Sequence, residues 1–244
     1  KKDELTIRYK LNWDISETTD VNFLLSKVDM DDPADIWTID GSLNTLSDRP
    51  GMDSQETDSV GIKLLKNFNH FDLQSFTSFT KTDVVFSYDA DWGNPDSHFP
   101  YIYDYFSETF RKRDTFSQEI RFLSNNINFS EENPFEWIFG FHLSELEETN
   151  LTRDDGAYGD PSDPFGPYVS ESIILRNYEA ENFSLFGNID YFISDNLKLA
   201  LGLRWENWNS KYNDSNNESF NPSDNMNGGK LSLIKYKDLS LIHI

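Results

Sequence analysis

Residues 196–206 read NLKLALGLRWE, with Leu197, Leu199, Leu201, Leu203 and Trp205 on every second position and Lys198, Ala200, Gly202, Arg204 and Glu206 between them. A period of two describes a β-strand with one apolar and one polar face. The apolar face touches either a protein core or lipid, and the class of function follows from which. The same alternation recurs in ELTIRYKLNWD from Glu4, TFSQEIRF from Thr115, FEWIFGFHLSE from Phe135 and ENFSLFGNIDY from Glu181. Weaker versions begin at Asp20, Ser59, Phe71 and Gly228. The reading is about nine strands and no helix.

The connections alternate in length. Short ones are expected at Ser16–Thr19, around Asn67–His70, at Ser124–Pro134 and at Ile193–Asn196. Long ones are expected over roughly Met30–Asp58, Lys81–Asp114, Glu147–Ala180 and Asn209–Asn227. Structureless connections beyond ~15 residues are uncommon in compact domains, so four of them argue against one. The clear strands run ~9 to 11 residues, the length a tilted strand needs to cross hydrocarbon, against ~5 to 6 in ordinary sheets. Their polar faces carry Arg8, Lys10, Glu119, Arg121, Lys198 and Arg204, as a wet lumen would, and Trp13, Trp137, Trp205 and Tyr191 suit the aromatic girdles of a membrane barrel. The expected fold is all-β: part of an antiparallel up-and-down transmembrane barrel, with short periplasmic turns and long extracellular loops.

Composition removes several functions. The formal charge of −22, from 43 acidic against 21 basic side chains, excludes binding nucleic acid through a general field. There is no cysteine, hence no disulfide, zinc-thiolate or thiol nucleophile. His70, His98, His142 and His243 are scattered, which disfavours a histidine metal site. No run approaches the ~20 apolar residues of a membrane helix, and no signal peptide opens the chain.

Three stretches, SQEIRF (117–122), EWIFGFHLSE (136–145) and LFGNIDYFISDNLKLALGLRWE (185–206), together resemble the barrel of TonB-dependent outer-membrane receptors. DSVGIKLLKNFNHFDLQSFTSF (58–79) resembles a hairpin of the siderophore-receptor type. The resemblance implies a 22-stranded barrel closed by a plug domain that contacts the TonB energy-transducing complex. No stretch here matches the plug, so the chain is expected to be an internal piece of about nine strands over residues 1–238. The last six residues, LSLIHI (239–244), resemble translated sequencing adapter and are expected to be a non-native tail. Further implied are the outer membrane of a Gram-negative bacterium, contact with lipid and lipopolysaccharide, and import of a ferric siderophore or similar scarce nutrient.

Import breaks no bond in the ligand, so no catalytic residues and no cofactor are expected. Asp-rich stretches such as DADWGNPD read as solvated loops rather than sheltered acid–base pairs. Aromatics on a rigid loop bind flat or sugar-like ligands by stacking. The candidate ligand contacts are therefore Trp92, His98, Tyr101, Tyr103 and Tyr105, the basic Arg111 and Arg113, and Tyr158 and Tyr168. Acidic loops repel anionic ligands and suit neutral or cationic chelates or divalent cations. The Asp spacing is only faintly that of a calcium loop, and a haem receptor would offer more loop histidines than His98. Two rival readings stand beside the receptor: a passive outer-membrane porin and a soluble carbohydrate-binding β-protein.

Overall fold

The computed structural model describes residues 3–35, 37–125, 134–194 and 197–215, and the backbone alone of residues 234–242. Nine strands follow one another: β1 (Glu4–Ser16), β2 (Thr19–Pro33), β3 (Met52–Asn67), β4 (Phe71–Asp89), β5 (Ile102–Ser124), β6 (Phe135–Gly159), β7 (Tyr168–Ser194), β8 (Leu197–Asp214) and β9 (Ile234–Ile242). Each pairs antiparallel with the next in one sheet ordered β1 to β9. This is the up-and-down meander that the alternation and the short turns predict. Among the described residues no helix is long and apolar enough to cross a membrane. Of the residues expected in the non-native tail, Leu239–Ile242 continue β9 against Gly202–Trp205, while His243 and Ile244 lie outside the described residues. Of the ninth strand expected from Gly228, residues 228–233 also lie outside them.

Two of the four long connections prove mostly to be strand. β5, β6 and β7 are 23, 25 and 27 residues long, so the sheet runs on through most of Lys81–Asp114 and Glu147–Ala180. Among the described residues what remains as loop is 34–35, 37–51, 90–101 and 160–167. Of the connection expected over Asn209–Asn227, Asn209–Asp214 are strand and residues 216–227 lie outside the described residues. Sequence patterning missed these extensions because both of their faces meet water. Alternation of apolar with polar residues then disappears although the ladder of backbone hydrogen bonds continues.

Directly opposed residues share a face, so the register assigns every side chain to one of two surfaces. One is apolar: Leu11, Phe23 and Ile62 stand in one row, Ile120, Phe141, Leu185 and Trp205 in another. No described residue packs over it. Among the described residues the only buried hydrophobic side chains are Val21 and Ala180, at 8% and 5% exposure, and Leu199 and Leu201 stand 60% and 59% exposed. A second layer on an apolar face is what makes a soluble sheet's core, and among the described residues none is present.

The apolar band also runs obliquely to the rows. On β1 it reaches up to Leu5; on β8 it stops at Trp205, with Asn207 next on that face. Leu5 lies about four same-face rows above Trp205. At ~3.4 Å per residue that is ~27 Å along the strands, against ~34 Å across seven strand spacings. The band is therefore level if the strands tilt by about 39°, within the ~35–45° of membrane barrels. From β2 to β8 the face above the band turns ionic along one row: Lys27, Asp58, Lys81, Asp114, Glu147, Glu179 and Lys211. Lys27 pairs with Asp58 at 3.6 Å, Lys81 with Asp114 at 3.3 Å and Lys211 with Glu179 at 3.2 Å. Trp13, Trp137 and Tyr191 stand at the short-turn edge of the band, and Trp205 at the opposite edge.

The polar face is concave. A hollow of about 400 Å³ on it is bounded by residues of β1 to β5 together, including Lys10, Asn22, Lys63, Phe76 and Ser117. Its charges are paired side by side: Arg121 with Glu119, Lys198 with Asp190 at 2.7 Å, and Arg204 with Glu206 at 3.3 Å. Glycines here admit aromatic rings from the opposed strand. Phe186 lies over Gly140 and Tyr105 over Gly156, where any side chain would collide with the ring.

Candidate functional site

The long-loop end of the sheet stands well clear of the apolar band, and two of its loops are clasped together. Asp48 N–H donates to Gly93 O at 3.0 Å and Asn94 Nδ2 to Leu46 O at 3.2 Å. Asp35 accepts from the backbone N–H of Gly51 and of Asp89. Asp91, nearly buried, accepts from Gly93 N–H at 2.9 Å and Tyr105 N–H at 2.7 Å, which ties the tip of the second loop to β5. On the apolar-face side of the rim Arg49 forks onto Asp155 at 2.6 and 2.9 Å, reaches Asp104 at 3.4 Å and lies 4.5 Å over the Phe106 ring. Planar guanidinium suits such bidentate and stacked contacts.

Asp89 is 1% exposed at the end of β4, ten positions beyond Phe79, where the apolar band on that strand ends. Burial pushes its carboxyl above the ordinary value of 3.8, and the negative charges of Asp91 and Asp48 add to the shift. Among the described residues no three His, Asp or Glu side chains are arranged to hold a metal ion.

Two aromatic groups occupy this end on the concave side. In the first, Trp37 and Trp92 stack at 5.8 Å with 26° between planes, beside Phe86 and Tyr88 of β4 at 5.8 Å from each other. With Pro33, Ala34 and Asp53 they line a cavity of about 460 Å³. Trp92 adopts φ 60°, a left-handed conformation that a bulky residue seldom takes; the flanking bonds of Asp91 hold it there. In the second, register brings Tyr103, Tyr158 and Tyr168 into one row across β5, β6 and β7. Tyr105 lies tilted against Tyr103, ring centres 4.9 Å apart with 56° between planes, and His98 meets Tyr103 edge-on at 5.0 Å, its Nε2 3.7 Å from Asp91. Tyr101 stands exposed at the loop end.

Of the sequence-predicted residues, the structure thus assembles His98, Tyr103, Tyr105, Tyr158 and Tyr168 and places Trp92 in the neighbouring group. Arg111 and Arg113 lie lower on the concave face of β5, not in a loop. Arg113 holds Glu148 at 2.7 and 2.5 Å, and Arg111 Nε stands 3.6 Å from the same carboxylate. Trp37, Phe86, Tyr88, Asp53 and the Arg49 clasp escaped sequence reasoning. Phe86 and Tyr88 do alternate in VVFSYD, a strand signal inside a segment read as loop. Nothing local pairs Trp37 with Trp92 or Arg49 with Asp155, which are brought together by tertiary contacts across 55 and 106 positions.

Among solved structures, the chain is similar to the ferric yersiniabactin uptake receptor FyuA from Yersinia pestis, with 13% identity and a TM-score of 0.58 over 98% of this chain and 33% of that one. It is likewise similar to the ferric citrate transporter FecA in its unliganded form, with 14% identity and a TM-score of 0.58 over 97% of this chain and 32% of that one. At this identity the likeness is one of fold, and the chain spans about a third of the length of either protein. No curated protein matches the sequence. The family model described as TonB dependent receptor-like, beta-barrel matches residues 5–240, and with its oblique apolar band and polar concave face the chain belongs to that family.

Proposed function

We propose that the intact protein is an outer-membrane import receptor of a Gram-negative bacterium. It captures a ferric siderophore or a similar scarce nutrient at its loop-bearing end and passes it inward with energy from the TonB complex, through a plug domain supplied outside these residues. The observation that carries the reading is the pairing of the family assignment with a rigidly clasped, aromatic-lined mouth on the concave face. The apolar face meets lipid, and the ionic row above it meets the polar layer of lipopolysaccharide. The proposed ligand contacts are Trp92, Tyr103, Tyr105, Tyr158 and Tyr168, with Trp37, Phe86 and Tyr88 added by the fold. His98 and Tyr101 flank them; Arg111 and Arg113 form the floor below. No step of capture and release makes or breaks a bond in the ligand, so no catalytic group is assigned.

The test is uptake of a panel of radiolabelled ferric chelates by cells with and without this protein. Each is assayed with TonB present, with TonB deleted and with the proton gradient collapsed. Accumulation that needs both the protein and TonB is expected for at least one chelate. Accumulation that needs the protein but ignores TonB identifies a passive porin instead.

A further inference from the structure

We infer that the hollow between Trp37, Trp92, Phe86 and Tyr88 accepts a flat, positively charged group and disfavours anionic ligands. The inference rests on reading this end as the capturing mouth and names the class of ligand it takes. The two indoles are 62% and 43% exposed, yet they are held against each other at 5.8 Å. Rings that present their faces to a cavity rather than to a core offer stacking surface and the negative face of the π-system, which attracts cations. The cavity, about 460 Å³, is of the size that takes a small ligand or one arm of a larger one.

Its charges point the same way. The one acidic side chain in its lining is Asp53, directly opposite Phe86 across the β3–β4 pair, and no Lys or Arg lines it. The three loops around the mouth carry seven aspartates against a single cation, Arg49. Arg49 is spent on Asp155 and Asp104 on the other side of the rim. Arg111, the nearest cation on the concave face, sits in the row below Phe86 and turns its Nε toward Glu148. A cation approaching the hollow therefore meets π-faces, a carboxylate and a negative field, whereas an anion meets the same field with the opposite sign.

The test uses size-matched aromatic probes and the intact protein in detergent, with binding read by quenching of tryptophan fluorescence and by calorimetry. N-methylquinolinium is the cation, quinoline at pH 8 the neutral form and 2-naphthoate the anion. At low salt the cation is expected to bind at least tenfold tighter than the anion, with the neutral probe between. Added salt should shrink the gap. Asp53→Asn should erase most of the preference while leaving neutral binding, and Trp37→Ala should weaken cation and neutral probe together. Arg111→Ala should leave the order unchanged. Equal affinities, a tighter anion, or no binding by any probe overturns the assignment. So does an anion affinity that falls in Arg111→Ala. TonB-dependent uptake is measured without these probes, so either claim can fail while the other stands.

Discussion

Replacing Leu201 by Arg tests the placement of the lipid face most directly. The apolar positions of β8 run from Leu197 to Trp205, ~27 Å along the strand at ~3.4 Å per residue. With the tilt of about 39° worked from the band, this spans ~21 Å of depth, close to the ~25 Å apolar belt of such barrels. Leu201 lies midway, so its guanidinium would start ~10 Å from either interface, and the cost is about 3 kcal/mol, from the ~2–4 known for Arg at the midplane. Leu197→Arg, at the edge of the band, should cost no more than about 1 kcal/mol. Ala200→Arg, one residue from Leu201 but on the concave face opposite Asp190, should be near neutral in a wet lumen. The assay is a urea series on the intact protein refolded into phospholipid vesicles, with the folded fraction read from heat-modifiable mobility on gels. If Leu201→Arg and Ala200→Arg lose equal stability, or if the penalty ignores depth, then the leucines do not face lipid and the oblique band is an accident of sequence.

Three further outcomes follow from the clasped mouth. Asp91→Ala leaves the Gly93 and Tyr105 amides without their charged acceptor; at ~1.5–3 kcal/mol for each such bond, discounted to about 3 in total, hydrogen exchange at both amides should rise about 100-fold. A rise under threefold would remove Asp91 as the tie. Arg49→Ala should cost about 1 kcal/mol, since the Arg49 side chain is 36% exposed and its ion pairs are screened; protease should then cut residues 38–48 on intact cells, and unchanged resistance would count against the clasp. Asp89, whose carboxyl is raised by burial, carries a stability contribution present below the ordinary carboxylate value and lost as pH rises through its folded value. Asp89→Asn should therefore slow loop opening at neutral pH and make no difference below pH 3.8. A mutant that opens faster than wild type at neutral pH would mean that the ionised form is the stabilised one.

The strands and their two faces were legible in the linear sequence because a β-strand's side chains alternate whatever lies beside it. Leu197, Leu199, Leu201, Leu203 and Trp205 share a face by virtue of spacing alone. Trp92, the tyrosines and the two arginines were marked as candidates by residue type, not by spacing. Tertiary structure decided what those residues meet. Tyr103, Tyr158 and Tyr168 form a row only because the β5–β6 and β6–β7 registers align them, and one residue of slip would turn each to the other face. Trp37 reaches Trp92, and Arg49 reaches Asp155, through loop contacts that no local propensity encodes. The extensions of β4 to β7 beyond the apolar band stayed hidden for a related reason. Where both faces of a strand are wet, only the hydrogen bonds to its neighbours make it a strand, and those bonds belong to the fold.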